Sequence, residues 1–211
     1  MTESEGVTRY QLDYRPGELP SDADVSGIFR GFDQCRGSGL IGQDPGRYDG
    51  YAYGNISVRA NPGFVISGTQ TGGKPHLAHE DLAWVEDFDL TRNWLRATGP
   101  ARPSSEAMTH GQIYRALPAV RAVIHVHSVP IWQQAGSLGL PLTAPGAAYG
   151  TPAMANEVRR LLASSSGDAG VFVMGGHEDG VVAYASDMDS AGGLVLELLE
   201  RANTLAAGQA G

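Results

Sequence analysis

Apolar residues recur along the chain in two rhythms, three-and-four apart and two apart. Val25, Ile28, Phe29, Phe32 and Cys35 follow the first, behind Ser21 as N-cap with Asp24 three residues on, and predict an opening helix. Residues 7–14 alternate weakly, which suggests a short strand ahead of a Pro-Gly turn. NISVRA (55–60) and GFVIS (63–67), joined by Asn-Pro-Gly, predict a hairpin, and DLAWVEDF (81–88) a further strand. SSEAMTHGQIYRAL (104–117) predicts a helix opened by cap-capable serines, and RAVIHVHS (121–128) a strand. A helix over 151–165, strands over 171–176 and 181–186, and a closing helix over 189–207 complete the pattern, with Leu194, Leu198, Arg201 and Leu205 along one side of the last. Strands and helices mixed with hairpins imply an α/β fold whose sheet is largely antiparallel and covered by helices.

The pattern shows no internal repeat or boundary, so residues 1–211 are expected to form one domain, with 1–20 and 206–211 its most mobile parts. The 29 glycines are spread between the periodic segments and read as turns. A net charge of -8 argues against nucleic acid or a membrane surface as partner, since both are polyanionic; a small molecule is the expected one. The single cysteine, Cys35, excludes an internal disulfide and a cysteine-built zinc site and suits a reducing cytoplasm; its helical position reads as core. The opening residues carry no basic-then-apolar leader, and no apolar run approaches the roughly 20 residues that span a bilayer.

One stretch concentrates the chemistry: PSSEAMTHGQIYRALPAVRAVIHVHS, residues 103–128. On a strand, His125 and His127 project from the same face, while Ile124 and Val126 turn to the other. Two such imidazoles suit one cation or a hydrogen-bonded pair at a sheet edge in equal measure. His177, in a Gly-rich turn after a buried-type strand, offers a third. Three neutral imidazoles leave a divalent ion its full charge and an open position, as in a catalytic site. Glu106 fits a general base beside a substrate whose carbonyl an ion polarises, so that a carbanion forms as an enediolate. On local sequence alone the first turn of a helix, where negative charge suits the dipole, is the reading that comes first.

GNISVR (54–59), VISG (65–68), PSSE (103–106), AVIHVHS (122–128) and GGH (175–177), in that order, resemble the class II aldolase/adducin family. Its branches include L-fuculose-1-phosphate aldolase and methylthioribulose-1-phosphate dehydratase, and the resemblance runs over nearly the whole chain. It implies a three-layer α/β/α fold, a homotetramer with sites between subunits, and a divalent ion, zinc first and manganese, cobalt or iron after it. By resemblance the ligands are His125, His127 and His177, with Glu106 as catalytic acid/base. Asn55, Ser67, Gly68, Ser104 and Ser105 are implied as the phosphate site, and hydroxyls, an amide and backbone N–H groups at a helix start do suit a phosphate. Taken one at a time, Ser104 and Ser105 fit helix caps and Asn55 a turn.

The implied activity is a metal-dependent lyase, foremost an aldolase that cleaves a small phosphorylated ketose through an enediolate. A dehydratase or decarboxylase on the same site is the alternative, and a non-catalytic adducin-like interaction module a third reading. The chain departs from the family in places. The tyrosine that sugar-phosphate aldolases carry shortly before a Phe-Gly-Thr is replaced in PGAAYGT by Gly146, with Tyr149 out of register. The closing AAGQAG lacks an aromatic. The SGTQTGG loop (67–73) looks closer to the dehydratase branch. Glu178 and Asp179 follow His177 and are expected to be solvated ahead of orienting that ring. His76 and His79 read as loop histidines and His110, four residues after Glu106, as one that packs or bonds near the site. Trp84, Trp94 and Trp132 read as core or interface aromatics.

Overall fold

A computed structural model of the protein describes residues 7–164 and 167–209. Residues 1–6 and 210–211 of the segments expected to be mobile, and Ser165 at the end of one expected helix, lie outside them.

In chain order the strands are β1 (Gln11–Pro16), β2 (Gly42–Gln43), β3 (Ala52–Tyr53), β4 (Asn55–Arg59), β5 (Phe64–Ser67), β6 (Leu82–Asp89), β7 (Trp94–Gly99), β8 (Ala122–His127), β9 (Gly170–Val173) and β10 (Gly180–Ala185). The α-helices are α1 (Ser26–Gly37), α2 (Ala107–Ala116), α3 (Val129–Gln133), α4 (Pro152–Ala163) and α5 (Met188–Gln209). Eight strands form one sheet in the order β1-β7-β6-β5-β4-β8-β10-β9. Every neighbouring pair is antiparallel except β1 with β7. The mostly antiparallel α/β/α sandwich expected from the sequence is therefore the fold observed.

Strand alternation splits the core into two layers. Ile56, Val65, Ile124 and Val126 pack under α1, α3 and α5 through Ile28, Phe32, Ile131, Val195 and Leu198. Phe64, Ile66, Val123 and Val182 pack on the other face under α2 and α4 through Met108, Ile113, Met154 and Val158. Each fully buried side chain of this size contributes about 1.5–3 kcal/mol relative to exposure, so both layers are held chiefly by apolar burial. All six residues of β8 are buried, because it lies between β4 and β10 with helices over both faces.

Several boundaries differ from the sequence reading. The first helix begins at Ser26 rather than near Ser21: residues 20–21 are in a turn or lead into it, Val25 occupies the N-cap, and the Asp24 carboxylate accepts the Ser26 N–H at 3.0 Å. The Ser21/Asp24 box does not form: residues 21–22 are in a turn, and the Asp24 carboxylate is taken by the Ser26 N–H. β7, with buried residues at every second position, and the short α3 are additional elements. The latter opens on Ser128, whose hydroxyl accepts the Ile131 N–H at 3.4 Å, with proline in its first turn. β1 joins the edge of the sheet, and Asn93 donates to the Arg9 carbonyl at 2.9 Å beside it.

Candidate metal and proton-transfer site

β8 turns His125 and His127 toward the α2/α4 face, the one that Val123 helps to fill. His177 comes from the turn between β9 and β10. Its N–H donates to the Met174 carbonyl at 3.1 Å, and its carbonyl accepts the Gly180 N–H at 3.0 Å. Gly180 lies opposite His127 in the sheet, and a Cβ there would stand 2.8 Å from Cδ2 of His177. Glycine at 180 is thus what lets the His177 ring lie against the strand pair.

The three rings converge. One nitrogen from each falls within 4.8 Å of the others, and Nε2 of His127 and of His177 are 3.2 Å apart. All three are buried. Burial disfavours the imidazolium, pushing His125 down to about 4. It holds His127 and His177 well below the ordinary histidine value, helped by the neighbouring rings, by Arg47 at His127 and by Arg9 at His177. Neutral imidazole is the form that ligates metal, so three buried nitrogen donors around one point fit a divalent ion. A further polar atom faces the same region: Asn55, cross-strand neighbour of His125, is buried, and its Oδ1 has no hydrogen-bond partner among the described residues.

Glu106 stands at the N-cap of α2, only 1% exposed, with Oε1 3.5 Å from Nε2 of His177. Its position is fixed from below: Ser104 Oγ accepts the Glu106 N–H at 3.2 Å, and the Tyr10 hydroxyl donates to the Ser104 carbonyl at 2.8 Å. Ser104 and Ser105 are both buried at this helix start. The other two residues of the implied phosphate set are engaged by the fold. Ser67 follows Ile66, the cross-strand partner of Ser57, so its side chain lies on the face opposite Asn55, and its Oγ accepts the Ile56 N–H at 3.1 Å. The Gly68 N–H donates to the Asp81 carbonyl at 2.6 Å, and a Cβ there would meet that of Ala101 at 2.8 Å.

Around the histidines lies a layer the sequence did not disclose. The Tyr48 ring meets His127 edge-on at 4.6 Å, and the Tyr53 ring lies 5.4 Å from it. The Tyr48 hydroxyl and the Arg47 guanidinium donate to Oδ2 of Asp179 at 2.7 and 2.8 Å. Asp179 is thus buried and paired, not solvated as expected, while Glu178 is exposed. Tyr149 is fully buried, its ring 4.8 Å from that of His177 and covered by Arg9 at 4.4 Å. Signals existed for Asp179, in the two carboxylates following a histidine, and for Tyr149, the out-of-register tyrosine of PGAAYGT; none marked Tyr48.

His177 opens onto a cavity of about 570 Å³ lined by Tyr48, Trp132, Gly146, Gly176 and Glu178. Nothing lies within 4 Å of where a Gly146 Cβ would be, so the position that the family resemblance gives to a tyrosine is open space beside the site. A cavity of about 390 Å³ between α1 and the start of α5 holds none of the candidate residues. His76 pairs with Asp33 at 3.0 Å on the surface and His79 packs on Phe29, both apart from the triad. No described helix is long and apolar enough to cross a membrane.

The family model described as Class II Aldolase and Adducin N-terminal domain matches residues 46–206. A methylthioribulose-1-phosphate dehydratase of an Enterobacter species is 35% identical over 97 residues, 46% of this chain and 43% of that protein. A 5-methylthioribulose-1-phosphate/5-deoxyribulose-1-phosphate aldolase of Rhodospirillum rubrum is 37% identical over 93 residues, 43% of this chain and 38% of that one. The matched part of this chain thus spans about two fifths of the length of these curated relatives. Among solved structures, L-fuculose-1-phosphate aldolase from Thermus thermophilus shares the fold, with a TM-score of 0.66 at 22% identity over 87% of this chain and 93% of that one.

Proposed function

Given that the chain belongs to the class II aldolase and adducin family, we propose that it is a divalent-metal-dependent lyase that cleaves a small phosphorylated ketose. The observation that carries this reading is the convergence of three neutral histidine nitrogens within 4.8 Å, with the Glu106 carboxylate 3.5 Å from one of them. His125, His127 and His177 would hold the ion, zinc first by its affinity for imidazole. Bound there, the ion supplies positive charge where the oxygen next to a forming carbanion turns negative.

The chain's own groups do the rest. In a retro-aldol cleavage a proton leaves the hydroxyl on the far side of the breaking carbon–carbon bond, and its electron pair becomes the new carbonyl. The bonding pair stays with the ketone half, which then takes a proton at carbon. Glu106 is the group placed to hold that proton between the two events. Asn55, Ser104 and Ser105 bind the phosphate: Ser104 Oγ accepts a backbone N–H and keeps its own hydroxyl hydrogen for a ligand oxygen. Ser67 Oγ and the Gly68 N–H are already engaged by Ile56 and Asp81, so these two hold the β4–β5 end and the loop after it rather than the phosphate. Burial of the site excludes water from the carbanion.

Dehydration is the second reading, favoured by the similarity to the dehydratase. The same carboxylate then takes a proton from the carbon beside the ketone, and hydroxide leaves from the next carbon. We further propose that the chain is one domain, that it works in the cytoplasm, and that it assembles as a tetramer whose neighbouring copy completes the open side of the cavity at Gly146. NMR identification of products from a panel of ketose phosphates tests the reading. An aldehyde plus a shorter ketose phosphate supports cleavage, loss of water supports dehydration, and no turnover of any phosphorylated ketose by metal-loaded protein contradicts both.

A further inference from the structure

His110 has no part in the chemistry above, yet it is fully buried on α2, one turn beyond Glu106 and on the same face of that helix. Its Nδ1 lies 2.7 Å from Oγ of Ser57, and that oxygen lies 2.8 Å from the Tyr114 hydroxyl. Nε2 has no hydrogen-bond partner among the described residues. Ser57 follows Asn55 by two on β4 and so shares its face, and Asn55 pairs with His125. The His110 ring therefore covers the sheet next to the metal ligands. Burial, reinforced by His125, keeps it neutral, its pKa pushed down to about 3.

A neutral imidazole carries one N–H, and the chain of three groups decides which nitrogen bears it. The phenol of Tyr114 is the more acidic hydroxyl and donates to Ser57. Ser57 passes its own hydrogen to the strongest acceptor of the three, the imidazole Nδ1. The ring proton is then on Nε2, a buried donor with nothing to donate to. Such a group is costly unless an acceptor comes to it. The acceptor on the same helix face is the Glu106 carboxylate.

We propose that His110 is a positioning residue for Glu106: Tyr114 and Ser57 lock it as the Nε2–H tautomer, and the Glu106 carboxylate, which no hydrogen bond joins to that nitrogen in this structure, turns to accept its hydrogen, fixing the orientation in which the carboxylate exchanges a proton with substrate. This rests on the reading of Glu106 as the proton-transfer group, but the lock and the contact are visible without turnover.

Long-range 1H–15N correlation spectra of the full chain, chelator-treated and zinc-loaded, read both. The expected result is a neutral His110 protonated at Nε2, a loss of that preference in Ser57→Ala, and a shift of the Nε2–H resonance in Glu106→Gln. Protonation at Nδ1, or an Nε2–H signal unmoved by Glu106→Gln in both states, overturns the proposal. In turnover, His110→Phe is expected to lower kcat at least tenfold with KM and zinc content unchanged, and His110→Gln, which keeps an N–H donor, to recover part of it. Wild-type kcat in both variants overturns it too. Failure of the wild-type protein to turn over any ketose phosphate speaks instead against the proposed function, with the spectra still deciding the role of His110.

Discussion

Nε2 of His177 lies 3.5 Å from Oε1 of Glu106, with both side chains almost wholly buried. The two arrive from distant parts of the chain, one from the turn before β10 and the other from the start of α2. Their meeting puts a carboxylate at the rim of the histidine triad without making it one of the three converging ligands. On the proposed function, metal holding and proton transfer fall to different groups. Glu106→Gln is expected to retain the metal and lose about 10²–10⁴-fold in kcat, checked by metal analysis and steady-state kinetics on the same preparation.

The pH dependence of stability follows from the buried rings. His110, His125, His127 and His177 all have folded-state pKa values below the ordinary value near 6.5. On acidification the unfolded chain takes up protons at these positions while the folded chain does not, so stability is present above about pH 6.5 and falls as pH drops toward 4. Each ring adds a slope of about 1.4 kcal/mol per pH unit across that window. Urea melts of chelator-treated protein between pH 7 and 4.5 should show midpoints falling steadily, and a flat profile would contradict the buried neutral triad.

Asp179 ties the layer behind His127 together through Tyr48 and Arg47. Asp179→Ala leaves two donors without their acceptor and frees the ring that lies edge-on to His127. The expected loss is about 1–3 kcal/mol of stability, measured by denaturant melts, and zinc affinity weakened by about 10–100-fold, measured by chelator competition.

Gly180→Ala would place a methyl group 2.8 Å from the His177 ring, on a residue whose own backbone is hydrogen-bonded to that of His177. The ring must move off the triad. Zinc affinity is expected to drop at least tenfold, with secondary structure by circular dichroism unchanged.

Strand and helix positions, the antiparallel sheet and the convergence of His125 with His127 were legible because they depend on local period: side chains two apart on β8 share a face whatever surrounds them. His177 and Glu106 were legible as chemistry, but their contact depends on the turn before β10 docking beside α2, which no local pattern records. The start of α1 was misplaced because residues 21–22 turn and the Asp24 carboxylate takes the Ser26 N–H, which leaves the cap signal at Ser21 unused. Asp179 looked solvated from its loop, and its partners stand more than a hundred residues earlier. Likewise Ser67 and Gly68 matched a motif, while their bonds to Ile56 and Asp81 come from strand pairing and loop closure.

The most direct measurement is the metal content of the purified chain after dialysis against zinc, for wild type, Glu106→Gln, His125→Ala and His177→Ala. About one ion per chain is expected in the first two and close to none in the histidine variants, with all four folded by circular dichroism. Equal zinc in wild type and both histidine variants, or none in any, would contradict a metal site built from His125, His127 and His177.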